Sequence, residues 1–183
     1  MATFIFHGVS GNPGENWFPW LKAELEKIGE RAIVPAFPHA DEPKLNEWIA
    51  HMKQYDADLN EETILIGHSL GAAFALRLPE SMQQPIRSTI LVAPVWGIMG
   101  NEFDARMTTF TVQPYDWERI HRQCGTFSIF QSDNDPYIEV VKTEQLAKNL
   151  ATSVTMVPGA GHFNSGAGYT QFPALLKLLL KNE

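Results

Sequence analysis

The stretch ETILIGHSLGAAFAL, residues 62–76, decides the reading of this chain. It opens as an apolar run biased towards β-branched residues, meets Gly67, passes through His68-Ser69-Leu70-Gly71, and continues in helix formers. A serine between two glycines, where a strand gives way to a helix, fits the G-x-S-x-G nucleophile elbow. The physical reason for the glycines is space. The serine occupies a strained backbone conformation that projects its hydroxyl from the tip of the turn. Side chains two positions away on either side would meet the neighbouring strand and helix. Ala72 and Ala73 extend the close packing into the helix. The competing reading of Ser69 is a helix N-cap.

Working outward, short apolar runs recur at Thr3–Phe6, Ala32–Ala36, Thr89–Val92, Thr126–Phe130 and Val154–Val157, with Thr63–Ile66 leading into the serine. Helix-like segments lie between most of them, at Glu15–Ile28, Pro43–Leu59, Leu70–Leu78 and Tyr137–Leu150, and Gln171–Lys181 follows the last. Strands alternating with helices pair in parallel, and strands covered on both faces read as continuous apolar runs. The expected fold is α/β, an open parallel sheet of about six strands with helices on both faces. Its sites belong outside the carboxyl ends of the strands. With 183 residues and no repeat or linker, residues 1–183 are expected to form a single domain.

A serine alcohol needs a base, and the base needs an orienting carboxylate. In a sheet of this kind the order along the chain is serine, acid, histidine. Of six histidines, only His121 and His162 follow Ser69. His121 falls in the expected helix Tyr115–Gln123. His162 sits in the glycine-rich loop Pro158–Phe163 after the last strand, where it can reach Ser69 as general base. The preceding strand runs into Ser132-Asp133-Asn134-Asp135-Pro136. Asp135 is favoured as the acid over Asp133, which suits a turn; Asp135 could instead cap the following helix. Two backbone N–H groups should hold the oxyanion. Leu70 supplies one and Val9, in the loop His7–Gly11, the other, with Ser10 as second choice. That loop is neither a dinucleotide fingerprint nor a Walker loop. A metal cluster of His7, His68 and His162 lacks ligand spacing, so neither metal nor cofactor is expected.

The motifs HGVSG, GHSLG, SDNDP and GAGHF, in this order, resemble the α/β-hydrolase superfamily. The short chain without a separate cap domain is similar to the small serine hydrolases related to retinoblastoma-binding protein 9. The resemblance spans nearly the whole chain. It implies the strand order 2-1-3-4-5-6 and a triad on Ser69, Asp135 and His162. The relative's partner-binding motif, L-x-C-x-E, is absent around Cys124, so that protein partner is not implied.

The expected function is hydrolysis of a small carboxylic ester through an acyl-enzyme. Amide or thioester hydrolysis by the same triad, and a non-catalytic protein-binding module on the hydrolase scaffold, are the alternatives. The segment Pro94–Gln113 carries large apolar groups at the carboxyl edge and is expected to roof the site. Trp17, Trp96 and Met99 are the expected pocket residues for a small acyl substrate. A formal charge of −7 without a basic block argues against nucleic acid. FPALLKLLL is too short to span a bilayer. One cysteine and an N-terminus without signal-peptide character fit a cytoplasmic protein.

Overall fold

A computed structural model describes residues 2–181. The sheet grows from the residues that had to be buried. β1 (Ala2–Phe6) and β3 (Ile64–His68) bury every position, as continuous apolar runs in a covered parallel sheet must. β4 (Ile86–Val92) and β5 (Cys124–Gln131) extend it on one side, and β2 (Arg31–Ile33) and β6 (Val154–Met156) form the short edges. All pairings are parallel, in the order β2-β1-β3-β4-β5-β6. β2 stops before Ala36, because Pro35 has no N–H to give the ladder.

Alternation along the strands builds two cores. Ile5, Ile64, Ile66, Ile90 and Val92 face the layer of α1 (Phe18–Lys27) and α7 (Pro173–Lys181). Phe4, Phe6, Leu65 and Leu91 face the opposite layer. That layer holds α2 (Leu45–Met52), α3 (Leu70–Ser81), α4 (Asp104–Thr111), α5 (Trp117–Gln123) and α6 (Val140–Asn149). The helix expected over Pro43–Leu59 divides: after Met52 the polar run Lys53–Asp58 becomes a 3-10 helix with no buried residue. Of this segment, Tyr55 packs edge-on against Phe4 with ring centroids 5.6 Å apart, too little for the apolar stripe of a core-facing helix.

Pro94–Gln113 is more ordered than a loop, because it contains α4. The buried Arg77 anchors its far end. The guanidinium donates to the carbonyls of Phe110 at 2.9 Å and Pro114 at 3.0 Å, and also to that of Gln113. It lies 3.6 Å over the Tyr115 ring. Near its start, Asp104 accepts the N–H groups of Met99, Gly100 and Asn101.

Candidate active site

The serine turn is where β3 meets α3. Ser69 has φ 57° and ψ −121°, a conformation that costs a non-glycine residue roughly 1–3 kcal/mol. Neighbouring backbone holds it there. The Ser69 N–H donates to the Val92 carbonyl at 3.0 Å, and its own carbonyl accepts from Ala72 at 3.0 Å and Val95 at 3.1 Å. The flanking glycines are needed for contact. A Cβ on Gly67 would lie 2.3 Å from the Gly71 oxygen, and one on Gly71 only 2.2 Å from the Phe6 oxygen. The turn is thus pressed against β1 and α3 with no room for a methyl group.

The acid loop follows β5 and grips the histidine loop at three successive points. Asp133 Oδ1 accepts the Gly159 N–H at 2.8 Å, and Asn134 Oδ1 accepts the Gly161 N–H at 2.8 Å. Asp135 Oδ2 lies 2.8 Å from His162 Nδ1. The other Asp135 oxygen accepts the N–H groups of Tyr137 at 2.9 Å and Ile138 at 3.1 Å. The two readings of this residue are therefore both present: it orients His162 and it also caps the following turn. Its side chain has no solvent exposure, and that of His162 is 9% exposed. Asp133 is committed to the backbone of Gly159.

His68, beside the serine, packs and hydrogen-bonds next to the site. Its Nε2 lies 2.8 Å from the His162 carbonyl, and the two rings stand 5.0 Å apart. Trp17 and Phe18 pack edge-on against it. Burial, aided by the nearby His162, pushes its pKa down to about 3. The imidazole is therefore neutral and its Nε2–H donates to the carbonyl. His7, also lowered by burial, joins Gly8 O at 2.9 Å and the Phe37 N–H at 3.4 Å. Among the described residues no group of three or more His, Cys, Asp or Glu side chains is arranged to hold a metal ion.

Ser69 and His162 line one cavity of about 370 Å³, together with Gly8, Val9 and Ser10. Gly8 lies against the serine: a Cβ there would be 3.0 Å from Ser69 Cβ. The Ser10 N–H is taken by the Ala40 carbonyl at 2.6 Å, which leaves Val9 as the available donor of the two weighed. Leu70 opens α3, where first-turn N–H groups lack intrahelical acceptors. Besides His68, Asn101 and Gly166, the remaining lining falls into two sets. Val95, Phe103, Met107, Tyr137 and Ile138 are apolar or aromatic; Glu15, Asn16, Asn164 and Ser165 are polar. The polar set is tied together by Asn16 Oδ1, which accepts the Ser165 N–H at 2.8 Å.

The expected pocket residues need correction, because Trp17, Trp96 and Met99 do not line this cavity. Trp17 is fully buried between α1 and α7 and donates its Nε1–H to the Phe163 carbonyl at 3.1 Å. Trp96 donates to the Lys142 carbonyl at 2.9 Å and packs edge-on against Trp117. Met99 belongs to the core. In each case an indole N–H with a backbone acceptor, or a flexible apolar chain, was better satisfied in the interior than at an open surface. From the same segment, Phe103 and Met107 do reach the cavity, because α4 turns one face towards it.

The sheet order, the strained serine turn between β3 and α3, and the Asp–His pair beyond the ends of β5 and β6 are those of an α/β hydrolase. The model of the serine hydrolase family matches residues 3–181. The chain belongs to that family. It is 28% identical over 180 residues to YdeN of Bacillus subtilis (strain 168), covering 97% of this chain and 93% of that protein. It is also 28% identical over 177 residues to the serine hydrolase RBBP9 of Rattus norvegicus, covering 93% and 91%. The crystal structure of the B. subtilis ydeN product superposes with a TM-score of 0.93 at 26% identity, over 99% of this chain and 97% of that one. Est1E of Butyrivibrio proteoclasticus, seen with bound ferulic acid, shares the fold at a TM-score of 0.74 and 14% identity, over 99% and 88%.

Proposed function

We propose that this serine hydrolase cleaves small carboxylic esters through a triad of Ser69, His162 and Asp135. The observation that carries the reading is the 2.8 Å contact between His162 Nδ1 and Asp135 Oδ2, beside a cavity that His162 shares with Ser69. Asp135 keeps the Nδ1 proton in place, so Nε2 is free to act as a base. Ser69 Oγ attacks the acyl carbon as His162 Nε2 takes its proton. The carbonyl π electrons move to oxygen, where the N–H groups of Leu70 and Val9 receive the charge. Collapse expels the alcohol, which leaves with the proton from His162. Water then attacks the acyl-Ser69 ester, gives a proton to His162, and the acid departs as the proton returns to Ser69. A cavity of about 370 Å³ limits the substrate to small molecules.

The test is intact-mass analysis after exposure to a fluorophosphonate, with Ser69→Ala in parallel and p-nitrophenyl acetate turnover measured on both. One adduct and turnover on the wild type, with neither on the variant, is the expected result. A variant that keeps esterase activity overturns the reading.

A further inference from the structure

The cavity holds one carboxylate that the hydrolytic steps do not use. Glu15 follows the oxyanion-side loop and lines the same space as Ser69. Its carboxylate lies against the Gly8–Gly11 turn, since a Cβ on Gly11 would be 2.6 Å from Glu15 Oε1. Gly8, at the other end of that turn, touches Ser69. Glu15 takes a hydrogen bond from Asn12 Nδ2 at 3.3 Å. Among the described residues it has no lysine, arginine or histidine within ion-pair distance. Burial pushes its carboxyl up from the usual range, offset in part by the Asn12 backbone N–H. A half-buried carboxylate without a counter-ion, in a cavity with no lysine or arginine in its lining, favours a ligand that brings the missing positive charge.

The groups around it do not supply that charge. His7, behind the loop, is lowered by burial, and His68 is neutral. Arg106 reaches Ser10 Oγ at 2.7 Å but also donates to the Asp41 carbonyl at 2.7 Å and pairs with the Asp41 carboxylate at 3.6 Å. Asn16, Asn164 and Ser165 beside Glu15 are uncharged. The other titratable groups in the lining are Tyr137 and the base His162.

We propose that Glu15 makes this site selective for esters that carry an organic ammonium group. The inference rests on the Ser69 hydrolase reading and adds a substrate class to it. The apolar set around Phe103 and Met107 takes the hydrocarbon part of such a substrate, and the polar set takes the cation.

Two p-nitrophenyl esters of the same shape test it: 4-(trimethylammonio)butanoate and its neutral carbon isostere, 5,5-dimethylhexanoate. The quantity read is the ratio of their kcat/KM values, corrected for spontaneous hydrolysis. Both share the leaving group and the catalytic machinery, so any pH effect common to the two esters cancels. In the wild type the cationic ester is expected to lead by at least about tenfold, a factor that one ion pair in a partly desolvated site supplies. In Glu15→Gln the ratio should collapse towards one. A second measurement needs no variant: as Glu15 takes up a proton on acidification, the wild-type ratio should fall while the quaternary ammonium keeps its charge. A wild-type ratio near one, a ratio unchanged in Glu15→Gln, or a ratio flat down to pH 4 overturns the proposal. Failure of the underlying reading looks different, because both esters would then be cleaved by Ser69→Ala, or neither by the wild type.

Discussion

Replacing Asp135 by asparagine separates the two jobs of that side chain. Oδ1 accepts two backbone N–H groups, from Tyr137 and Ile138, while Oδ2 faces His162 Nδ1. An asparagine can satisfy the two N–H groups only with its carbonyl oxygen, so its NH2 must point at His162. Nδ1 then becomes an acceptor, and the imidazole proton moves to Nε2, where the base is needed. The turn cap survives, so the fold loses no more than about 1–3 kcal/mol. Activity suffers far more, since holding a catalytic histidine in the wrong tautomer costs about 10⁴ in kcat, equivalent to about 5.5 kcal/mol of barrier. Asp133→Asn is the internal control. Its oxygen can still accept the Gly159 N–H, so its rate should stay within about tenfold, or about 1.4 kcal/mol. Initial rates with p-nitrophenyl acetate, together with thermal melts of both variants, read the difference. The reasoning is refuted if Asp135→Asn keeps a rate within tenfold of the wild type, or if Asp133→Asn falls as far.

Three further outcomes are expected. Gly71→Ala should cost roughly 3 kcal/mol or prevent folding, because its methyl group would lie 2.2 Å from the Phe6 oxygen and 2.7 Å from that of His7; urea unfolding of a variant as stable as the wild type would contradict this packing. Trp17→Phe should lower stability by about 1–3 kcal/mol through the unpaired Phe163 carbonyl and leave KM for small esters unchanged, as fits a core residue; a raised KM with an unchanged melt would return Trp17 to the pocket. Stability should also fall with acid. His68 has its folded pKa depressed to about 3, so the unfolded chain binds its proton first, and stability is lost as pH drops below about 6.5. The loss is roughly 1.4 kcal/mol per pH unit, or about 2 kcal/mol at pH 5, and His7 acts in the same direction. Denaturant unfolding of the wild type against His68→Gln checks it: equal slopes between pH 6.5 and 5 would exclude His68 as the source.

The strands and the serine turn were legible because each is written locally. Continuous apolar runs mark covered strands, and the glycines at 67 and 71 mark the contact that only a bare backbone can make. Histidine order and loop position likewise led to His162, which the fold sets in one cavity with Ser69 and against Asp135. The choice between Asp133 and Asp135 was open in sequence because both lie in one short turn. Only the register of that turn against Gly159, Gly161 and His162 distinguishes them. The pocket was misread for a related reason. Large apolar residues near a site are attracted equally to a cavity wall and to the core, and the outcome depends on whether a distant group satisfies them. For Trp17 and Trp96 those groups are the carbonyls of Phe163 and Lys142, 146 and 46 residues away along the chain. Glu15 escaped notice because, in sequence, it reads as an ordinary acidic residue opening the expected helix Glu15–Ile28. The role proposed for it comes from the fold, where no lysine, arginine or histidine among the described residues pairs with it.

The fold also explains why the histidine needs so much support. His162, the proposed base, sits on a loop, where a side chain is placed less precisely than on a helix or strand. Four contacts compensate. Asp133 and Asn134 fix the backbone before it, Asp135 fixes its ring, and the buried His68 holds its carbonyl. His68 is adjacent to Ser69 in the strained turn, so the bond from its Nε2 ties the His162 loop to the element that carries Ser69. A neutral, deeply buried imidazole suits this task. It donates one hydrogen bond across the site and, with a pKa near 3, would stay uncharged while His162 takes a proton in the proposed mechanism.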